Sequence, residues 1–254
     1  MPFRFLVVAV RRALDGVRRN RLGVVRLSMP PLHLRGRDVV EIARAAFRRL
    51  AGRSLDEVHD AVRVTVWNDE VAAFDMGAVA AQWFSDFLGQ PLRLVRFDPA
   101  QQRLASAQWC APVAAEAAFA DEFPLLVTSQ ASLDELNRRL GAGGAAPVTM
   151  QRFRPNLVLD GLGAHDEDHI DELRFDTPDG PVRLRLVKPC SRCSIPDIDP
   201  LSAERGHTVG DTLAGYRADA RLDGAITFGM NAVIVEGTDR TLRTGLAGGA
   251  TYRF

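Results

Sequence analysis

Cysteine is scarce in this sequence: Cys110, Cys190 and Cys193 are the three present. So small and odd a number does not make the disulfide framework of a secreted chain, so reduced thiols and a cytoplasmic setting are expected. No apolar run approaches the ~20 residues that cross a bilayer. The early candidate, Phe3 to Val10, is broken by Arg4 and followed by Arg11 and Arg12, mostly the reverse of a secretory leader. Neither a transmembrane segment nor a signal peptide is expected. Net charge is lacking too, since 32 basic residues balance 32 acidic ones; the chain as a whole offers no electrostatic reason to bind nucleic acid or an anionic membrane. Lysine is nearly missing, with Lys188 the one example. No internal repeat and no Gly-rich phosphate loop is visible, which leaves a Rossmann or P-loop reading without support.

What is present is a chain of 254 residues, 46% hydrophobic, long enough for one large or two small cores. Arginine crowds the first fifty or so residues, where it is opposed only by Asp15, Asp38 and Glu41. Residues 4 to 19 read as a short basic amphipathic helix with a solvated face, and residues 1 to 35 are expected to be loosely attached. A helix is expected over Val39 to Leu50, capped by Asp38. A strand follows at Val58 to Trp67, then a helix over Ala72 to Leu88 ending at Gly89. Pro91 to Phe97 returns to strand, and residues 98 to 122 read as loop with a short helix. Phe123 to Thr128 is an apolar strand leading to a helix at Leu133 to Leu140, where Ser132 and Glu135 have capping-box spacing. After the Gly141 to Ala146 connector, strands are expected at Asn156 to Leu159, Glu172 to Phe175, Val182 to Val187 and Ala225 to Glu236. Short strands punctuated by Gly, Pro and Asp favour a β-rich α+β fold, a barrel or sandwich with peripheral helices.

The most informative segment runs from Val187 to Pro200 and contains Lys188-Pro189-Cys190-Ser191-Arg192-Cys193. Two thiols three residues apart could be half a zinc site, a redox pair, or a thiolate stabilised by nearby cations. A structural zinc site needs a second pair of ligands, and no second C-x-x-C exists. A thioredoxin-like pair opens a helix, whereas Pro196 and Asp197 follow here. Lys188 and Arg192 flank the thiols, as a thiolate for a soft metal requires, but two small buried hydrophobes beside surface cations remain an equal reading of the residues alone. His165 and His169 bracket Asp166, Glu167 and Asp168; Gly161 and Gly163 upstream argue for a loop, so a solvated acidic turn is expected.

Several motifs in fixed order carry a resemblance: Phe123-Pro124-Leu125-Leu126, Ser132-Leu133-Asp134-Glu135-Leu136-Asn137, Phe153-Arg154-Pro155-Asn156, Lys188 to Cys193, Tyr216-Arg217 and Phe228-Gly229-Met230-Asn231. Together they resemble the MOSC family in the form of the mitochondrial amidoxime-reducing component and its bacterial relatives, over roughly residues 67 to 240. The resemblance implies a MOSC-type β-barrel with peripheral helices (residues 106–254), preceded by a smaller N-terminal β-containing domain (residues 1–105). It implies a molybdenum cofactor, molybdopterin-bound, whose metal takes Cys193 as ligand. Thr128, Ser129, Arg154, Asn156, Ser191, Arg192 and Asn231 are the positions it assigns to holding the pterin and its phosphate. The implied activity is reduction of N-hydroxylated small molecules, with a cofactor-binding or carrier role without turnover as the alternative. Three cysteines are too few for an added plant-type iron–sulfur cluster, and no nucleotide-binding turn is visible, so a separate electron-donor protein is expected. The family's N-terminal Lys-Ser pair and Gly-x-x-Gly-Asp-Arg turn are not found; Gly36-Arg37-Asp38 precedes a helical pattern instead.

Overall fold

A computed structural model of the chain describes residues 60–253 together with the backbone of Arg4–Leu6. The helix expected over Val39 to Leu50 lies outside the described residues, as does the expected loose attachment of residues 1 to 35 apart from Arg4–Leu6. Those three residues form strand β1 rather than the start of a helix, paired parallel to β4 (Leu92–Phe97). The chain divides into two compact units, one of residues up to Leu104 with Glu116–Glu122, the other of Ala105–Ala115 with Phe123 onward.

The first unit is a four-stranded sheet in the order β1-β4-β3-β2. β2 (Ala61–Val66) and β3 (Asp69–Asp75) form a hairpin turned by Trp67 and Asn68, with Trp67 at φ 56°. Val64, Val66, Val71, Ala73, Val95, Phe97 and Phe119 close its core. The expected helix from Ala72 begins instead at Ala78 and runs to Leu88 (α1). Alanine and methionine favour helix locally, but Ala72 to Phe74 are paired with β2, and burial at Val71, Ala73 and Asp75 has the two-residue period of a strand. Gly77, at φ 88°, separates the elements, and its N–H donates to the Asp75 carboxylate (2.7 Å).

The second unit is a seven-stranded sheet that curls into a half-barrel, in the order β11-β7-β8-β10-β5-β6 with β9 alongside β10. Its strands are β5 (Leu125–Ser129), β6 (Leu157–Leu159), β7 (Ile170–Thr177), β8 (Gly180–Ser191), β9 (Ala218–Asp219), β10 (Ala225–Glu236) and β11 (Gly248–Tyr252). The fold is thus α+β and strand-dominated, as the residue pattern indicated. Val127, Leu173, Leu184, Leu186, Met230 and Ala232 pack one core. A second gathers Leu133, Leu136 and Leu140 of α3 (Gln130–Ala142), Val209 and Leu213 of α4 (Thr208–Ala214), and Phe153 with Phe228. A one-turn helix, α2 (Ala107–Cys110), precedes β5. The cap of α3 is Ser129, whose hydroxyl accepts the Ser132 N–H (3.1 Å); Ser132, expected as the cap, lies inside the first turn and is buried. No described helix is long and apolar enough to cross a membrane.

Candidate functional site

Two irregularities in the β8–β10 ladder decide which side chains leave the core. Along β8, Val182, Leu184 and Leu186 point into it. Asn231 then pairs with Lys188 but Ala232 with Leu186, so Val187 is an extra residue, a β-bulge. Since strand side chains alternate, the bulge reverses the order. Val187 and Pro189 become the buried positions, while Lys188 and Cys190 turn to the opposite face. On β10 a shift between Thr227 and Met230 does the same, placing Phe228 in one cluster and Met230 in the other. Gly229 sits there at φ 77°, where a Cβ would lie 2.6 Å from the Val127 carbonyl oxygen.

The face so created collects several of the residues singled out above. Asn231 pairs with Leu126 on one side and Lys188 on the other, and directly opposed residues share a face. The Asn156 side-chain oxygen accepts the Leu126 N–H and the Asn156 N–H donates to the Leu126 carbonyl, each at 2.8 Å, which ties the Arg154-Pro155-Asn156 turn to the edge of β5. Lys188 Nζ lies 5.7 Å from the ring centres of both Trp109 and Phe123, a cation–π arrangement.

β8 ends at Ser191, which is exposed and pairs with Thr227. Arg192 continues by donating its backbone N–H to Ile226 (2.8 Å). Its guanidinium reaches back, Nη1 to Cys190 Sγ (3.1 Å) and Nη2 to the Phe153 carbonyl (3.2 Å), with the Phe153 ring 5.5 Å away. Phe153 in turn stacks on Phe228 at 3.9 Å. The Arg154 segment and the Cys190–Cys193 segment are thereby held together. Arg154 itself is exposed and holds φ 56°, a backbone conformation uncommon for a non-glycine residue and unusual before proline.

Cys193 is exposed; Cys190 is partly buried. The segment after Cys193 is firmly anchored. Arg152 donates to the Pro196 carbonyl (3.1 Å) and the Asp199 carboxylate (2.9 Å), and Asp197 accepts the Gly210 N–H of α4 (2.9 Å). Asp199 also accepts the N–H groups of Ser202 and Leu201, which hold its carboxyl below the usual range. Arg152, Asp197 and Asp199 were not singled out from the sequence, because nothing local distinguishes such supports from surface charges.

Thr128 and Ser129 are fully buried. The Thr128 hydroxyl contacts Met150 Sδ (3.4 Å), and the Ser129 hydroxyl donates to Glu167 (2.9 Å). Both side chains serve the interior. Glu167 also accepts from the Ser129 N–H and the Ser132 hydroxyl, and burial pushes its carboxyl up. The acidic run expected to be a solvated turn is buried at its centre, though His169 is exposed: Glu167 is 0% and Asp168 8% exposed, with Asp168 paired to Arg217 (2.6 Å). Ser129, Ser132 and Arg217 supply the partners that make burial tolerable, and none is adjacent in sequence. His165, against Tyr216 and Phe228, is held down to about 4 by burial and then by the Arg217 charge. Among the described residues no three His, Cys, Asp or Glu side chains gather as a metal site.

Comparison with known proteins matches residues 114–246 to the MOSC domain model. The mitochondrial amidoxime-reducing component 1 of Mus musculus is 39% identical over 153 residues, 58% of this chain and 42% of that protein. The mitochondrial amidoxime reducing component 2 of Homo sapiens is 33% identical over 153 residues, 58% and 43% respectively. A molybdenum cofactor sulfurase of Oryza sativa subsp. japonica is 30% identical over 204 residues, 74% of this chain and 24% of that protein. The chain spans less than half the length of these relatives.

Proposed function

Because the chain belongs to the MOSC domain family, we propose that it holds a molybdenum–pterin cofactor with Cys193 as metal ligand and reduces N-hydroxylated small molecules, using electrons from a separate donor protein. The observation that carries this reading is an exposed thiol at a strand end whose neighbour, Arg192, is hydrogen-bonded to the residue before Arg154. The donor set fits the group. A thiolate suits a soft metal, two guanidiniums suit a phosphate, and Ser191, Asn156 and Asn231 offer hydroxyl and amide groups for a heterocycle's edges. Thr128 and Ser129, turned inward, contribute by fixing the β5–α3 junction beneath the site.

When bound, the metal supplies two-electron oxygen-atom chemistry. The chain's own part is positional. The anchored segment after Cys193 fixes the thiol, and the Val187 bulge keeps Lys188 and Cys190 out of the core. A cofactor-binding or carrier role without turnover is the second reading; the similarity to a protein named molybdenum cofactor sulfurase supports cofactor association under either reading. Metal and pterin analysis of the purified protein tests both readings. Molybdenum and pterin in near-equal amounts in the wild type, with molybdenum lost or its coordination altered in Cys193→Ser, supports cofactor binding. Their absence from wild-type protein made in cofactor-producing cells overturns it. Reduction of an amidoxime then separates enzyme from carrier.

A further inference from the structure

The two cysteines of the Cys190-Ser191-Arg192-Cys193 run live in different surroundings. Cys193 is exposed, whereas Cys190 receives Arg192 Nη1 at 3.1 Å. The same guanidinium is held at Nη2 by the Phe153 carbonyl, while its Nε is buried without a hydrogen-bond partner. The Cys190 sulfur and a backbone carbonyl thus fix the group. Cysteine sulfur is a weak acceptor. A carboxylate in its place would form a strong, charge-cancelling pair, and the Arg192 charge would then be spent inside the protein. Held by sulfur and a carbonyl, the guanidinium is oriented but keeps its charge for a ligand. The Val187 bulge makes this possible, because on an unbroken β8 Cys190 would face the core with Leu184 and Leu186.

We propose that Cys190 is a positioning residue for Arg192: its sulfur fixes the guanidinium without neutralising it, so that Arg192 presents a directed positive charge to an anionic ligand group while Cys193 alone serves the metal. The identity of that anionic group as the cofactor's phosphate or pterin rests on the reading given above; the coupling of Cys190 to Arg192 does not. The C-x-x-C spacing is then neither half a zinc site nor a redox pair but a division of labour between two thiols.

Three substitutions separate the possibilities. Cys190→Val is close in volume and lacks an acceptor, Cys190→Ser keeps one, and Cys190→Asp adds charge. In protein labelled with 15N-arginine and freed of cofactor, the Arg192 Nε–H signal is identified by its loss in Arg192→Lys. That signal should remain sharp in Cys190→Ser and Cys190→Asp and broaden in Cys190→Val. Pterin retained through gel filtration of the loaded protein should fall about tenfold in Cys190→Val and in Cys190→Asp, as loss of one charged interaction predicts, and change little in Cys190→Ser. In an Arg192→Ala background, Cys190→Val should cause no further loss. An unchanged Arg192 signal in a folded Cys190→Val overturns the positioning role, whatever the cofactor content. Equal pterin retention in Cys190→Val and Cys190→Ser overturns its functional part. If the wild type carries no pterin while the Arg192 signal behaves as described, the cofactor reading fails and the Cys190–Arg192 coupling stands.

Discussion

The Arg192 guanidinium donates to the Phe153 carbonyl oxygen across 3.2 Å, joining segments 39 residues apart in the chain. Phe153 is buried and stacks on Phe228, so the bond ends on a packed partner. Its consequence is that Arg154, next in the chain, is presented from a fixed backbone beside the Cys193 segment.

Arg154 is exposed, and exposed side chains seldom contribute more than about 0.5 kcal/mol to stability. Arg154→Ala should therefore leave the melting temperature of cofactor-free protein almost unchanged while reducing pterin retention about tenfold, the loss of one charged contact. A large drop in melting temperature with normal retention would make Arg154 a structural residue instead.

His165 gives the protein an acid-sensitive element. Its folded pKa is about 4, lowered by burial, against ~6.5 in the unfolded chain. The unfolded state thus binds the proton first, and stability from this group is lost as pH falls from ~6.5 towards 4. Glu167 acts in the opposite sense. Its folded pKa is raised, so its contribution declines as pH rises above the unfolded value, until the folded carboxyl has ionised. Denaturation midpoints measured between pH 4 and 7 should show a shallower acid loss in His165→Phe than in the wild type, and Glu167→Gln should lack the opposing slope. Parallel profiles for wild type and His165→Phe would refute the assignment.

Gly229 combines a positive φ with contact on two sides, the Val127 carbonyl and Thr128 Cγ2, at 2.6 and 2.7 Å from an added Cβ. Gly229→Ala should cost about 3 kcal/mol from backbone strain and overpacking together, or on the order of 10 °C in melting temperature. Gly144, at φ 78° with open space around it, is the control; Gly144→Ala should cost about 1 kcal/mol. Calorimetry of the two variants checks the difference, and equal losses would remove the β5–β10 approach as its cause.

Electron supply tests the enzymatic reading. The 254-residue chain has three cysteines, two of them in the run at the site, and no nucleotide-binding turn. Supplied with an amidoxime, loaded protein should turn over with reduced viologen and not with NADH alone. Turnover with NADH would reveal an internal electron path.

Much of the strand layout was legible in the sequence, because alternation and turn residues are local signals. Ala225 to Glu236 was read with the bounds of β10, and the strand-dominated α+β class followed from the spacing of such segments. Motif order also pointed to the family that the comparisons then matched. What remained hidden was decided between distant residues. Ala72 to Phe74 carry a helical signal locally and became strand because β2 pairs with them on one side and β4 with Ala73 and Phe74 on the other. Glu167 and Asp168 look solvated until Ser129, Ser132 and Arg217 are placed around them, partners supplied by two other segments. The face on which Lys188 and Cys190 emerge depends on one extra residue in a ladder with β10, and no one-strand pattern records its partner's register. The sequence by itself determined most of the second unit's strands and the chemical types carried by the motifs around Cys193; only the tertiary structure decided that the two thiols part company, since burial and hydrogen-bond partners belong to contacts across the sheet.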